Sequence, residues 1–117
     1  MITTDGEQWI LKYLLGTPGS PVNYLAVGDN PPAPAKGDKK LAGEVARVPV
    51  TSIYQDGGTV VFETFVDKLQ ANFNWREAGL FAGGDASLDT GILVARANID
   101  EDKDQMKTAT VLWEIGF

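Results

Sequence analysis

The segment DGGTVVFETFV, residues 56–66, decides the fold class of this chain. Its Asp-Gly-Gly start is a turn signal. The eight residues that follow, 59–66, are dominated by β-branched and aromatic side chains, which favour a strand. Residues 108–117 also predict a strand, because one face carries Ala109, Val111, Trp113 and Ile115 and the other carries Thr108, Thr110, Leu112 and Glu114. We expect Phe117 to continue the apolar face. The sequence therefore predicts a protein built on antiparallel strands.

Further strands extend this pattern on both sides. We expect strands at Val22–Gly28, Gly43–Ile53, Phe73–Phe81 and Ile92–Ile99. Pro49 indicates an edge or a bulge, because proline cannot donate to a strand ladder. About six strands at a spacing of roughly 8–15 residues predict an all-β fold, an antiparallel sandwich or a jelly-roll-like arrangement.

One short helix is expected before the first strand. Thr4 lies three residues ahead of Glu7, which is the spacing of a capping box, and the apolar residues that follow share one helical face. Gly16 is placed to end the helix, and Pro18 cannot continue it. We therefore expect an N-terminal amphipathic helix at about residues 5–15. A separate expectation, near the C-terminus, is an acidic turn at Asp100–Gln105.

A proline-rich segment, DNPPAPAKGDKK at residues 29–40, is expected to be a loop, because its prolines cannot donate to a ladder. Its lysines make a local basic patch in an acidic chain. We treat this segment as a possible interaction loop. Its candidate contact residues are Asn30, Pro31, Pro32, Pro34, Lys36, Lys39 and Lys40.

The composition excludes several classes of function. The chain has 117 residues, which predicts one domain over 1–117, and it contains no cysteine and no histidine. Thiolate metal sites and the commonest general base are therefore absent. The formal net charge of −6 disfavours nucleic acid as a partner. We also expect no membrane span and no signal peptide, no cofactor and no enzymatic activity.

The triplet Asp89-Thr90-Gly91 is shared with aspartic proteases, in which two carboxylates share a proton. Such an enzyme needs an apolar strand that runs into the aspartate, whereas the residues before Asp89 are typical of a loop. We interpret the triplet as a turn.

Asp100, Asp102 and Asp104 repeat the opening of a calcium-binding loop. Gln105 stands where that loop needs glycine, and Val111 stands where it needs glutamate. We therefore expect a solvated hairpin tip and no calcium site.

The three tryptophans, Trp9, Trp75 and Trp113, each fall on the apolar side of their element. Core packing is the expected role, and an exposed platform for sugars is the alternative.

The segment ANFNWREAGLF at residues 71–81 carries a recognisable pattern, an aromatic followed by W-x-E-x-G-L-F. It is preceded by YLAVGD at 24–29 and followed by GILVAR at 91–96 and by an alternating strand at 111–117. In this order the pieces resemble a group of small phage and prophage virion proteins and the attachment domains that begin some tail fibres. The resemblance covers nearly the whole chain.

The resemblance implies a structural part of a virion. Glu77 is expected to pair with Arg96 or Arg47 on a neighbouring strand, which would set the register of the strands. Gly79 is expected to allow a bulge or a close backbone approach. None of these features is typical of a catalytic centre.

The resemblance leaves the location in the virion open. Because the sequence stops at Phe117 without a repetitive shaft, we expect a capsid decoration (cement) protein that binds the major capsid protein and stabilises the shell. A small tail, neck, baseplate or tail-fibre adaptor is the alternative, and a carbohydrate-binding module is a remote one. In each virion role we expect a homo-oligomer. For capsid decoration, we expect the 29–40 loop and the N-terminal arm to be the contact elements.

Overall fold

Two antiparallel sheets and one helix make up the fold in a computed structural model, which describes residues 1–17 and 19–117. The elements are α1 (Thr4–Leu14), β1 (Val22–Gly28), β2 (Glu44–Pro49), β3 (Ser52–Asp56), β4 (Thr59–Val66), β5 (Asn74–Ala82), β6 (Ile92–Asp102) and β7 (Ala109–Gly116). A four-stranded sheet has the order β2-β1-β5-β6, and a three-stranded sheet has the order β3-β4-β7. The predicted all-β sandwich with one short N-terminal helix is confirmed.

The expected strand at 43–53 is in fact two strands in different sheets. The chain crosses between the sheets just after Pro49. There the N–H of Val50 donates to a carbonyl of β1 (2.9 Å), whereas the N–H of Thr51 donates to a carbonyl of β4 (2.7 Å). Pro49 ends an edge strand, as its missing donor requires. This crossing accounts for seven strands where about six were expected.

The helix begins one residue earlier than the capping box predicted. Thr3, not Thr4, is the N-cap, because its hydroxyl accepts the N–H of Gly6 at 2.9 Å. A Cβ on Gly6 would overlap the carbonyl oxygen of Val94, so this glycine lets α1 lie directly on β6. Gly16 follows the helix with φ +78°, and the expected role of Pro18 falls outside the described residues. In the residues that the structure describes, no helix is long and apolar enough to cross a bilayer.

The four-stranded sheet is buried on both faces. Its inner face packs against the three-stranded sheet in a core that includes Trp75, and Trp9 and Trp113 pack against this core half-buried. Its outer face carries a second, smaller cluster. The members of that cluster are Ala26, Leu41, Phe81 and Leu93, with Tyr24 beside them. Leu41 belongs to the loop after β1, so a loop supplies the second cover.

Two expectations for the C-terminal part were wrong. Asp100 and Asp102 do not form a turn, because β6 continues through them and both carboxylates bind Arg76, at 2.9 and 3.0 Å. Phe117 does not extend the apolar face of β7, since its side chain is 83% exposed.

Candidate docking surface

The outer face of the four-stranded sheet is built by alternate residues of the W-x-E-x-G-L-F segment. Strand alternation sends Glu77, Gly79 and Phe81 to this face, while the residues between them enter the core between the sheets. Two loops lie over the face. We call residues 29–43 the long loop and residues 83–91 the short loop.

A single buried carboxylate holds the long loop. Glu77 is fully buried, and its Oε1 accepts the N–H of Ala42 and an N–H of the Arg96 guanidinium, both at 2.9 Å. Its Oε2 accepts the N–H groups of Gly43 at 2.8 Å and Asn30 at 3.3 Å. Hydrogen bonds to an ionised acceptor are about twice as strong as neutral ones. The carboxylate therefore binds both ends of the long loop to β5.

Arg96, which is paired with Glu77, also binds the middle of the long loop. Its side chain is 2% exposed, and its Nη1 donates to the carbonyl of Pro32 and to a carboxylate oxygen of Asp38, both at 3.3 Å. Within the described residues its buried Nε has no hydrogen-bond partner. The pair of Glu77 and Arg96 thus joins β5, β6 and the long loop, and Arg47, the other partner considered, lies elsewhere.

Two glycines make room for this arrangement. A Cβ on Gly79 would lie 2.8 Å from Cδ1 of Leu93 and 2.9 Å from Cδ2 of Leu41. A Cβ on Gly28 would press on the carboxylate of Glu77. The register between β5 and β6 also shifts one residue past Gly79, between Leu80 and Phe81. Glycine is required here because the loop approaches the sheet closely.

A second buried cation, Arg47 on β2, holds the short loop. Its guanidinium binds both carboxylate oxygens of Glu44, at 2.7 and 2.9 Å, and donates to the carbonyl and hydroxyl oxygens of Thr90, at 3.0 and 2.9 Å. It lies over the rings of Phe81 (4.7 Å) and Tyr24 (5.4 Å). Sequence reasoning missed this role, because only the strand register brings a residue of β2 to a loop about forty positions later.

The Asp-Thr-Gly triplet belongs to the short loop. Asp89 is exposed, has a φ of +65°, and donates its N–H to Glu44 at 3.1 Å. Hydrogen bonds from the backbone N–H of Ser87 and from the hydroxyl of Thr90 hold the pKa of Asp85 below its usual value. The structure therefore gives these residues the geometry of a turn.

A scan against protein-family models matches residues 1–111 to the N-terminal domain of phage tail-collar fibre proteins. The chain belongs to this family. The resemblance found in the sequence is thereby confirmed, and the chain is a structural protein of a phage tail fibre and a component of the virion. No curated protein matches the chain.

In this tail-collar fibre domain the lysines of the long loop do not form a free basic patch. Lys36 binds Glu7 at 2.8 Å, and Lys39 binds Asp5 at 2.9 Å. Both acids belong to α1, so these contacts attach the loop to the helix and neutralise its charge. Lys40 is exposed, as are most of the other candidate contact residues; Pro34 is half-buried. Two of the three lysines of the predicted basic patch are therefore paired with acids of α1.

The helix beside this loop presents apolar side chains to solvent. Leu14 and Leu15 are 78% and 80% exposed, and Leu11 is 47% exposed. We call the long loop together with α1 the helix–loop face. This face combines a loop that Glu77 and Arg96 hold by hydrogen bonds, charges that are paired, and three exposed leucines.

Proposed function

We propose that this domain is a non-enzymatic attachment module, which joins a tail fibre to another tail protein through its helix–loop face. The observation that carries the proposal is the exposed leucine cluster at the end of α1, in a chain that belongs to the tail-collar fibre family. Apolar side chains that a partner covers stabilise the complex by roughly 25 cal/mol per Å² of buried apolar area.

The anchoring of the long loop supports this proposal. Glu77 and Arg96 hold the loop before any partner arrives, so little ordering entropy remains to be lost on binding. We infer that this pair is structural and that the loop residues Asn30, Pro31 and Lys40 contact the partner.

Substitution of the exposed leucines tests the docking face. Leu14→Glu with Leu15→Glu should leave folding intact, because both side chains lie mostly in solvent. It should prevent assembly of the protein into tails, measured by mass spectrometry of purified particles. Leu69→Glu is the matched control, since Leu69 is 89% exposed in the turn between β4 and β5. Normal assembly of the double variant would contradict the proposal.

The number of copies per particle tests the location. A tail-fibre attachment module should be present in a few copies that match the tail symmetry, whereas a capsid decoration protein should be present in hundreds. Capsid decoration stays a prediction. A count of hundreds of copies would support it, and a count of a few copies would contradict it. The expected homo-oligomer is a separate prediction, which the mass of the purified protein in sedimentation tests.

A further inference from the structure

One side of the sandwich carries open strand edges. In the described part of the chain, β7 pairs only with β4, so its other edge is free over Ala109–Gly116. On the facing sheet, β6 is the edge strand. Its first half is covered by the N-terminal residues, which bridge it at Ile2 and Ala95. Its second half, from Ala97 onward, has only β5 as a strand partner among the described residues.

An apolar groove lies between these two edges. Its volume is about 290 Å³, and it reaches down to Leu25 and Trp75 of the core. Ile99 lines it on the β6 side, and Val111 and Trp113 line it on the β7 side. These three wall residues are only half-buried. A free backbone edge beside an apolar groove is the arrangement that accepts an added strand, because main-chain hydrogen bonds and side-chain pockets are then offered together.

Within the three strands of the β7 sheet, the charged side chains have one sign. The three strands of its sheet contain the acids Asp56, Glu63 and Glu114 and no lysine or arginine. On the β6 side, Asp100 and Glu101 are already paired with cations. No cation within the described residues forms a salt bridge with Glu114.

We propose that the free edge of β7 accepts an extended segment of another, basic protein as a fourth strand. The inward side chains of that segment are apolar and cover Val111 and Trp113, and an outward lysine or arginine lies opposite Glu114. A second copy of this chain is disfavoured as the added strand. The pairing of two β7 edges would join two sheets whose strands carry only acidic charges, which repel each other. The N-terminal residues already complete the edge of β6 by the same kind of backbone pairing.

The test uses the purified chain and an eight-residue peptide of alternating valine and lysine, with a valine–glutamate peptide as its control. Slowed hydrogen exchange and amide NMR shifts should appear in β7, and an amide shift at Ile99, which lines the groove, with the lysine peptide only. Glu114→Lys should weaken this binding about fivefold, the upper range for one cross-strand charge pair. Glu63→Lys is the matched control, since Glu63 lies on β4, beyond β7 from the added strand, and should change binding much less.

Three results would overturn the proposal. The first is a lysine peptide that leaves the β7 amides unchanged at millimolar concentration, and the second is equal binding of the glutamate peptide. The third is self-association of the chain that protects β7 without any peptide, which would assign the edge to a second copy. None of these results depends on the helix–loop face, so the proposed function is tested independently.

Discussion

Glu77→Gln is the substitution that most directly tests how the long loop is held. The two carboxylate oxygens receive four donors, from Ala42, Arg96, Gly43 and Asn30. A glutamine keeps one acceptor oxygen and replaces the other with an NH2 group. That NH2 group would face two N–H donors and could accept from neither. Two donors therefore lose their acceptor, and the buried guanidinium of Arg96 loses its strongest counter-charge.

The magnitude follows from the burial of this pair. Both side chains are almost completely inaccessible, at 0% and 2% exposed. Removal of one partner from a buried pair typically destabilises a protein by about 3–5 kcal/mol. A protein of this size is stable by only ~5–15 kcal/mol. The melting temperature should therefore fall by about 12–20 °C, at about 4 °C for each kcal/mol.

Urea unfolding followed by tryptophan fluorescence measures the free energy of unfolding, and hydrogen exchange measures the loop directly. The amides of Ala42 and Gly43 should exchange faster in the variant than the global unfolding predicts. Glu63→Gln is the control, because this half-buried glutamate makes one hydroxyl contact, with Ser52 at 2.9 Å, and should change stability by less than about 0.5 kcal/mol. A loss below about 1 kcal/mol for Glu77→Gln, with both loop amides still protected, would refute the reasoning.

Three further substitutions test the other contacts of the outer face. Gly79→Ala should destabilise the chain by about 1–3 kcal/mol in urea unfolding, because its methyl group overlaps two leucines, while Gly37→Ala, with open space around it, should stay within about 0.5 kcal/mol. Arg47→Lys keeps the charge but loses the paired contacts and the ring stacking, so the short loop should become more sensitive to proteolysis while the rest of the chain resists; unchanged cleavage would count against this role. The pKa of Asp85 is lowered from 3.8, so its contribution to stability is complete above pH 3.8 and is lost as the pH falls through the folded pKa; protection of the Ser87 amide from exchange, relative to its intrinsic rate, should decrease over that range, and in Asp85→Ala, which has no side-chain acceptor, it should be lost at every pH.

The elements themselves could be predicted from the sequence because their signals are local. Alternation and β-branched residues placed β1 and β4 with the observed bounds, Val22–Gly28 and Thr59–Val66. The helix was found to within a residue at each end, although the wrong threonine was chosen as its cap. The error has a tertiary cause, since Thr3 is also fixed by its hydrogen bond to the carbonyl of Leu93.

Contacts between distant segments were decided only by the folded structure. The sequence offered Arg96 and Arg47 equally as partners for Glu77, because charge alone does not specify which strands are neighbours. The order β2-β1-β5-β6 places Arg96 beside Glu77 and carries Arg47 to the short loop. The pairing of Lys36 and Lys39 could not be predicted from the sequence either, because the acids that bind them lie on a helix about thirty residues earlier.

The sequence by itself determined what the chain is made of: antiparallel strands, one helix and a run of landmarks that resembles a virion family. Those properties follow from side-chain periodicity and residue type, which act within a few positions of the chain. The tertiary structure decided which surfaces are left for partners. Charge pairing across the fold neutralised Lys36 and Lys39 of the long loop. Sheet order left one edge of β7 without a partner strand among the residues that the structure describes, and the packing of α1 left Leu14 and Leu15 in solvent.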